Sequence, residues 1–262
     1  MNTLTIANQK GGVGKTTTAI SLGAALAQDG LRVLLVDLDP QGNATSGLGV
    51  RRQDVERGIY DVLLQDLPIP DATIATSVAG LELLPSAPEM AGAEVELVPA
   101  LAREYRLRTA LQHAAYDTVI VDCPPSLGLL TINALTAADS VLVPVQCEYY
   151  ALEGLAQLMT TVDAVKRRLN PQLDVLAIIL TMADARNRLS MQVIEEVNRH
   201  FPELVARVRI PRAVRLAEAP SHGLPIGAYD PDSRGARAYA DLARELLARL
   251  AARQPIMLGA AN

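Results

Sequence analysis

The residues Asn8-Gln9-Lys10-Gly11-Gly12-Val13-Gly14-Lys15-Thr16-Thr17 have the types and spacing to hold a polyphosphate. They follow the phosphate-binding pattern G-x-x-x-x-G-K-[ST], except that Gln9 stands where the first glycine belongs and Lys10 stands beside it. Gly11, Gly12 and Gly14 let backbone N–H groups turn toward phosphate oxygens, and the N-terminus of a following helix adds a favourable dipole. Lys15 supplies a point charge, and the Thr16 hydroxyl can ligate Mg²⁺. Val13 and Thr17 complete the loop. The competing reading is a glycine-rich strand-to-helix turn with no ligand.

Three carboxylates fit the same chemistry. The apolar run Arg32 to Val36 ends in Asp37-Leu38-Asp39-Pro40-Gln41-Gly42-Asn43. A carboxylate at the carboxyl end of a strand in an open α/β sheet projects into the ligand crevice, and two of them one residue apart share a side if the strand persists. Alternatively, Asp37 and Asp39 merely start a turn before Pro and Gly. Thr118-Val119-Ile120-Val121-Asp122 is a β-branched run ending in an acid, a form that holds Mg²⁺ through a water because magnesium dehydrates reluctantly. Many buried strands end in Asp, so this signal counts only beside the loop and the Asp37/Asp39 pair.

Lysine usage sharpens the reading. The chain has three lysines, Lys10, Lys15 and Lys166, against 21 arginines, and two of the three lie in one loop. A compact ammonium on a flexible stem stands there where an arginine fork would be too wide. An exposed lysine at a loop edge is the other account of Lys10.

These groups need a scaffold, and 262 residues allow one large two-sided α/β core. Half of the residues are hydrophobic and only 3% aromatic, with no Trp, which suits a buried parallel sheet and argues against a base-stacking platform for single strands. Strands are expected at Leu4 to Ala7, Arg32 to Asp37, Leu81 to Leu84, Thr118 to Asp122, Ser140 to Val145, Val175 to Thr181 and Arg207 to Ile210. Helices are expected at Lys15 to Gln28, Glu94 to His113, Leu127 to Ala137, Leu152 to Leu169, Ser190 to Phe201 and Arg234 to Ala252. Between Gly42 and Ala93 only Tyr60 to Leu64 looks helical. The alternation predicts a doubly wound, mainly parallel sheet with helices on both faces. One domain over 1–252 and a loose tail over 253–262 follow.

Cys123 and Cys147 show no paired spacing, and His113, His200 and His222 are scattered, so neither a disulfide nor a metal cluster is indicated. There is no run of 18 apolar residues and no basic leader in MNTLTIAN, so the sequence supports neither export nor membrane spanning, and a cytoplasmic location is expected. The net charge is −5, yet Met182 to Asn262 holds 12 Arg against 9 acids, which allows a local basic face.

KGGVGKTT resembles the deviant Walker A motif of the ParA/MinD ATPases, a P-loop NTPase family. That resemblance implies that Lys10 reaches across a two-fold axis to the ATP of the other subunit, while Lys15 holds the nucleotide of its own. VDLDPQGNATSGLG is similar to switch I of the short, Soj-type chromosomal ParA proteins, implying that Asp39 orients the attacking water and Asp37 lies near the Mg²⁺. CPPS at 123–126 resembles switch II, with Asp122 as the Walker B acid. VPVQCEYYALEGL and IPRAVRLAEAPSHGLPI, which phosphate loops do not require, also look like ParA, and the sequence starts at the first strand, as in the short type. The resemblance further implies adenine contacts at Pro211 and Arg212, and DNA contacts at Arg186, Arg188 and Arg215.

The implied function is an Mg²⁺-ATPase of chromosome or plasmid partitioning. It would form an ATP-dependent homodimer, bind nonspecific double-stranded DNA at the nucleoid and respond to a ParB-type centromere-binding protein. Two rivals stay open: a MinD-like membrane-cycling ATPase, and a switch for other cargo or for replication. The apolar stripe Tyr239, Leu242, Leu246, Leu247 and Leu250 of the last helix is expected to pack on the sheet, which disfavours the membrane rival.

Overall fold

The computed structural model describes residues 1–148 and 151–253; the expected tail lies, beyond Arg253, outside the described residues. Among these residues seven strands form one sheet: β1 (Asn2–Ile6), β2 (Val33–Asp37), β3 (Ile74–Ala75), β4 (Leu81–Leu84), β5 (Thr118–Asp122), β6 (Ser140–Gln146) and β7 (Asp174–Thr181). Their order is β3-β4-β2-β5-β1-β6-β7, parallel throughout except for the two-residue edge strand β3. The central strands are apolar on both faces because both are covered. Val33, Leu35 and Ile120 face one core, while Leu34, Val36, Val119 and Val121 face the other.

Among the described residues, the twelve α-helices are α1 (Lys15–Gln28), α2 (Asn43–Gly47), α3 (Ile59–Leu64), α4 (Ile69–Ala72), α5 (Met90–Leu97), α6 (Arg106–Leu111), α7 (Leu129–Ala137), α8 (Ala151–Arg168), α9 (Arg188–His200), α10 (Val214–Glu218), α11 (Ile226–Tyr229) and α12 (Arg234–Arg253). The expected doubly wound layering is present, with α1, α10, α11 and α12 on one face and α3 to α9 on the other.

Three expectations need correction. Between Gly42 and Ala93 the chain forms α2 and α4 besides α3, and α5 already starts at Met90. Glu94 to His113 is not one helix: α5 ends at Leu97 and α6 starts at Arg106. Pro99 cannot donate an i→i−4 bond, and Ala102 turns left-handed at φ 49°. Arg207 to Ile210 is not a strand either. Val205 bridges Ile178 of β7, Pro211 bridges Ala183 beyond it and Ile210 N donates to Leu180 O at 2.9 Å, but between them the Arg207 and Val208 amides are donated to the Glu245 carboxylate of α12, at 2.9 and 3.0 Å. A side chain has displaced the ladder partner.

The stripe on α12 is buried as expected. Tyr239, Leu242 and Leu246 are in the core, and Leu247 and Leu250 pack against it. The Tyr239 hydroxyl shares a 3.1 Å hydrogen bond with Thr18 of α1, which ties α12 to the helix that follows the phosphate loop. Tyr239→Phe should therefore lower urea stability by about 1 kcal/mol, since it leaves the buried Thr18 hydroxyl without that partner.

Candidate functional site

Strand register builds the site. Ile6 of β1 pairs with Asp122 of β5, and Asp122 pairs with Asp37 of β2, so the loop after β1 and both carboxylates emerge together at the carboxyl ends of the central strands. Asn8 fixes the loop's start: its Nδ2 donates to Pro144 O at 2.7 Å, and its Oδ1 accepts from Lys10 N at 3.0 Å. The Thr181 hydroxyl donates to Val13 O at 2.8 Å and pins the middle. Gly14, at φ 88°, caps α1 in the left-handed region, where a side chain would be strained, and no side chain caps the helix. The first-turn N–H groups of α1 are left available to an anion.

A cleft of about 520 Å³ opens above the loop, lined by Gly11, Gly12, Gly14, Lys15, Thr16, Thr17 and Asp39, with Pro125, Met182 and Ser221 on its walls. The Lys15 ammonium rests 3.2 Å from Lys10 O. Burial pushes its pKa down, and the nearby Asp122 and Asp39 carboxylates oppose that shift. Both Asp122 oxygens and Asp37 Oδ1 are buried without a hydrogen-bond partner. Burial is the main reason that Asp37 is pushed up to about 6, against hydrogen bonds from Thr45, and that Asp122 is raised well above the carboxylate range, with Asp37 beside it adding to the shift. Three partnerless carboxylate oxygens next to a threonine hydroxyl are a donor set suited to a hard, hydrated cation such as Mg²⁺. Among the described residues no group of three His, Cys, Asp or Glu side chains forms a metal cage.

Asp39 is held differently. Asp37 Oδ2 accepts from Thr45 N and from the Thr45 hydroxyl, at 2.7 and 2.6 Å. Thr45 Oγ1 in turn accepts from Ser86 N at 2.9 Å, and the Ser86 hydroxyl donates to Asp39 O at 2.9 Å. Arg52 spreads its guanidinium over Pro40 O, Ala87 O and Ser86 O, at 2.6, 3.0 and 3.3 Å. The carboxylate of Asp39 is thus set at the cleft on a braced loop.

A second, apolar cleft of about 340 Å³ shares Gly14, Thr17 and Met182 with the first and is lined by Ile210, Pro211, Arg212, Leu216 and Tyr239. Met182 sits at the junction with a left-handed φ of 51°, a strained conformation for such a side chain. The two clefts together suit a phosphate chain and a flat base.

Lys10 is not brought into either cleft. Its ammonium lies 3.3 Å from Glu148 Oε2, and Gln146 Nε2 donates to the other Glu148 oxygen at 2.6 Å. Arg186, Arg188 and Arg215 also stand apart from the phosphate cleft, on the connection after β7, at the start of α9 and on α10. Arg186 pairs with Asp184 at 3.2 Å, and Arg215 pairs with Glu218 and Asp230 at 3.0 and 3.5 Å, so this face is mixed rather than purely basic. Cys123 is buried. His222 stacks on Tyr229 at 4.8 Å, as suits a turn residue, whereas its neighbour Ser221 lines the phosphate cleft. Residue reading missed Met182, Thr181, Ser86 and Arg52, which have no motif of their own; Gln41, Asn43 and Ser46 lie inside the DLDPQGNATSGLG stretch and were within reach.

The fold and this site define a P-loop nucleotide-binding protein whose loop carries a second lysine. An AAA domain family matches residues 1–175. The sporulation initiation inhibitor protein Soj of Bacillus subtilis is 59% identical over 94% of this chain and 98% of its own, and the chromosome partitioning protein ParA of Myxococcus xanthus is 55% identical over 95% and 89%. The chain belongs to the Soj/ParA family of chromosome-partitioning ATPases. Among solved structures, cobyrinic acid a,c-diamide synthase of Mycobacterium smegmatis with a bound ATP analogue and magnesium is 41% identical, with a TM-score of 0.84 over 96% of each chain.

The facing carboxylates give a pH prediction for the ligand-free chain. Both carboxyls are raised above their unfolded range, so the folded state binds more protons; the stabilisation from Asp37 is present below about pH 4 and is lost as pH rises through about 6, and Asp122 adds a loss in the same direction. The ligand-free protein should lose on the order of 2 kcal/mol from Asp37 between those limits. Asp122→Asn should flatten the loss, which urea titrations of both proteins at acid and neutral pH will measure.

Proposed function

We propose that this chain is a Mg²⁺-dependent ATPase of chromosome or plasmid partitioning that binds ATP as a sandwich homodimer. In that state it binds double-stranded DNA without sequence preference, at the nucleoid, and it hydrolyses ATP slowly until a ParB-type protein stimulates it. The observation that carries the ATPase reading is the set of partnerless Asp37 and Asp122 oxygens beneath a loop presenting Lys15, Thr16 and an uncapped helix terminus. When bound, magnesium would neutralise charge on the β- and γ-phosphates, held by Thr16 and by Asp122 through a water, with Asp37 near it.

The loop N–H groups of Gly11 to Thr17 bind the phosphates, and Lys15 leaves Lys10 O to meet them. Asp39, braced by Ser86 and Arg52, orients the attacking water. Ile210, Pro211 and Arg212 frame the base. Lys10, which on its own subunit turns away from the cleft to Glu148, acts on the nucleotide of the partner, so hydrolysis depends on pairing as it does with an arginine finger. Arg186, Arg188 and Arg215 contact DNA phosphates. Each contact is weak, and two subunits presented together bind by effective concentration. A MinD-like membrane role is disfavoured by α12, whose apolar stripe is already buried.

Asp39→Ala should keep ATP binding and the dimer while turnover falls by about a hundredfold or more, measured as phosphate release beside sedimentation velocity. Lys10→Ala should keep nucleotide binding by the monomer while losing ATP-driven pairing. Filter binding to random duplex DNA should require ATP and weaken steeply with salt; ATP-dependent sedimentation with liposomes in the absence of DNA binding would reject the proposal.

A further inference from the structure

From Leu204 to Arg212 the chain runs beside β7 as a further parallel strand would, and its hydrogen bonds show where it leaves that path. Ile178 N donates to Leu204 O and Ala206 N to Ile178 O, both at 2.8 Å, which puts Val205 in register with Ile178. In a regular parallel ladder the bonds are evenly spaced and recur every second residue, so the next amide to meet β7 would be Val208 N, on Leu180 O. Val208 N instead donates to the Glu245 carboxylate at 3.0 Å, beside Arg207 N at 2.9 Å, and Ile210 N takes Leu180 O at 2.9 Å. Two residues are looped out of the ladder. Beyond the loop, Ala183 N donates to Ile210 O at 3.0 Å and reseats the chain.

The surroundings of Glu245 suit this task. Its side chain is 14% accessible, against 54% for Asp241 one turn earlier on α12. Arg249, one turn later, pairs with Glu245 at 2.9 Å and donates to the carbonyls of Leu176, Leu204 and Val205 at 3.2, 3.2 and 2.8 Å, fixing the stretch just before the loop. An ionised carboxylate only accepts, so it can take both amides at once.

The residues that the loop reseats are those of the apolar cleft, where Ile210, Pro211 and Arg212 stand with Met182. If Val208 N took Leu180 O, the chain after it would slide by two residues along β7, roughly 7 Å, and Ile210 would leave its place on the cleft. We propose that Glu245 is a positioning residue for nucleotide binding, which withholds two amides from the sheet and thereby sets Ile210, Pro211 and Arg212 against the base. It acts through the backbone of the segment that it holds. The inference rests on the apolar cleft being the base site, and the experiment separates the two.

MgATP and magnesium tripolyphosphate, which has the phosphates but no base, are titrated calorimetrically into the full chain and its variants. The parent should bind MgATP more tightly than tripolyphosphate. Glu245→Ala should weaken MgATP about tenfold while tripolyphosphate keeps its affinity. Glu245→Gln, whose amide oxygen serves one N–H while its NH₂ group meets the other donor, should fall between parent and Glu245→Ala. Asp241→Ala, at the exposed acid one turn away, should match the parent for both ligands. If Glu245→Ala keeps the parent's ratio of the two affinities, whether by losing neither or by losing both alike, Glu245 serves stability alone and the proposal is overturned. Should Glu245→Ala not fold, the same ratio measured on Glu245→Gln decides. Equal affinity of the parent for both ligands would remove the base site itself, and this inference with it.

Discussion

The register that sets Asp37 beside Asp122 is the constraint on which the site depends. Parallel strands lie about 4.8 Å apart, so two carboxylates at paired positions on adjacent strands cannot avoid each other, and here both are fully buried. One lysine, Lys15, faces them. Its own charge is disfavoured by burial, and it spends its hydrogen bond on a backbone carbonyl of the loop. The ligand-free site therefore has too much buried negative potential for its single cation, and protonation of the pair relieves it. A divalent cation arriving with phosphate would relieve it more fully, and any ligand that binds only the folded state adds to stability.

The same crowding explains why the loop after β2 is built as a lattice. Asp37 spends one oxygen on Thr45, Thr45 reaches Ser86, and Ser86 reaches the backbone of Asp39. The carboxylate in the sheet and the carboxylate at the cleft are therefore mechanically linked through two hydroxyls. Arg52 closes the frame from below, packed against Gly42, where a Cβ would come within 2.2 Å of its Nε. On the far side, Gly223 at φ 68° lies against Gly49, and a Cβ there would stand 2.6 Å from the Gly49 Cα. That contact seats the Ala219–His222 turn, and with it Ser221, on the switch-like loop. A change in the state of Asp37 thus has a hydrogen-bonded route to the Asp39 wall of the cleft and a packed one to the Ser221 wall.

Much of this was legible from residue order. The phosphate loop, the acids at Asp37, Asp39 and Asp122 and the parallel sheet follow from local signals that persist in any context: glycine conformations, β-branched runs and strand-terminal carboxylates. What was not legible depends on partners distant in sequence. The interruption at Arg207 and Val208 is caused by Glu245, 38 and 37 residues away, and no local pattern announces it. The break near Pro99 was local and readable, since proline inside a helical run removes a donor. Ser86 and Arg52 act on Asp39 from 47 residues and from a separate turn, through carbonyls that any sequence would supply. Two-residue β3 carries too little pattern to distinguish it from a loop.

The state of Lys10 bears on how pairing and nucleotide occupancy become one event. Its ion pair with Glu148 is partly exposed, with side chains 35 and 49% accessible, and such a pair contributes under about 1 kcal/mol in water. The contact orients the ammonium without trapping it. A phosphate chain in a closed, water-poor interface attracts the same ammonium several times more strongly, because the effective dielectric falls as water leaves. In the proposed dimer, the lysine therefore exchanges a weak contact at home for a strong one across the axis, and only when the partner's cleft is filled. Glu148 is itself oriented by the Gln146 amide. In that proposal the exchange suits a slender, rotatable donor such as lysine. An arginine fork would bind Glu148 with two parallel hydrogen bonds and raise the cost of leaving it.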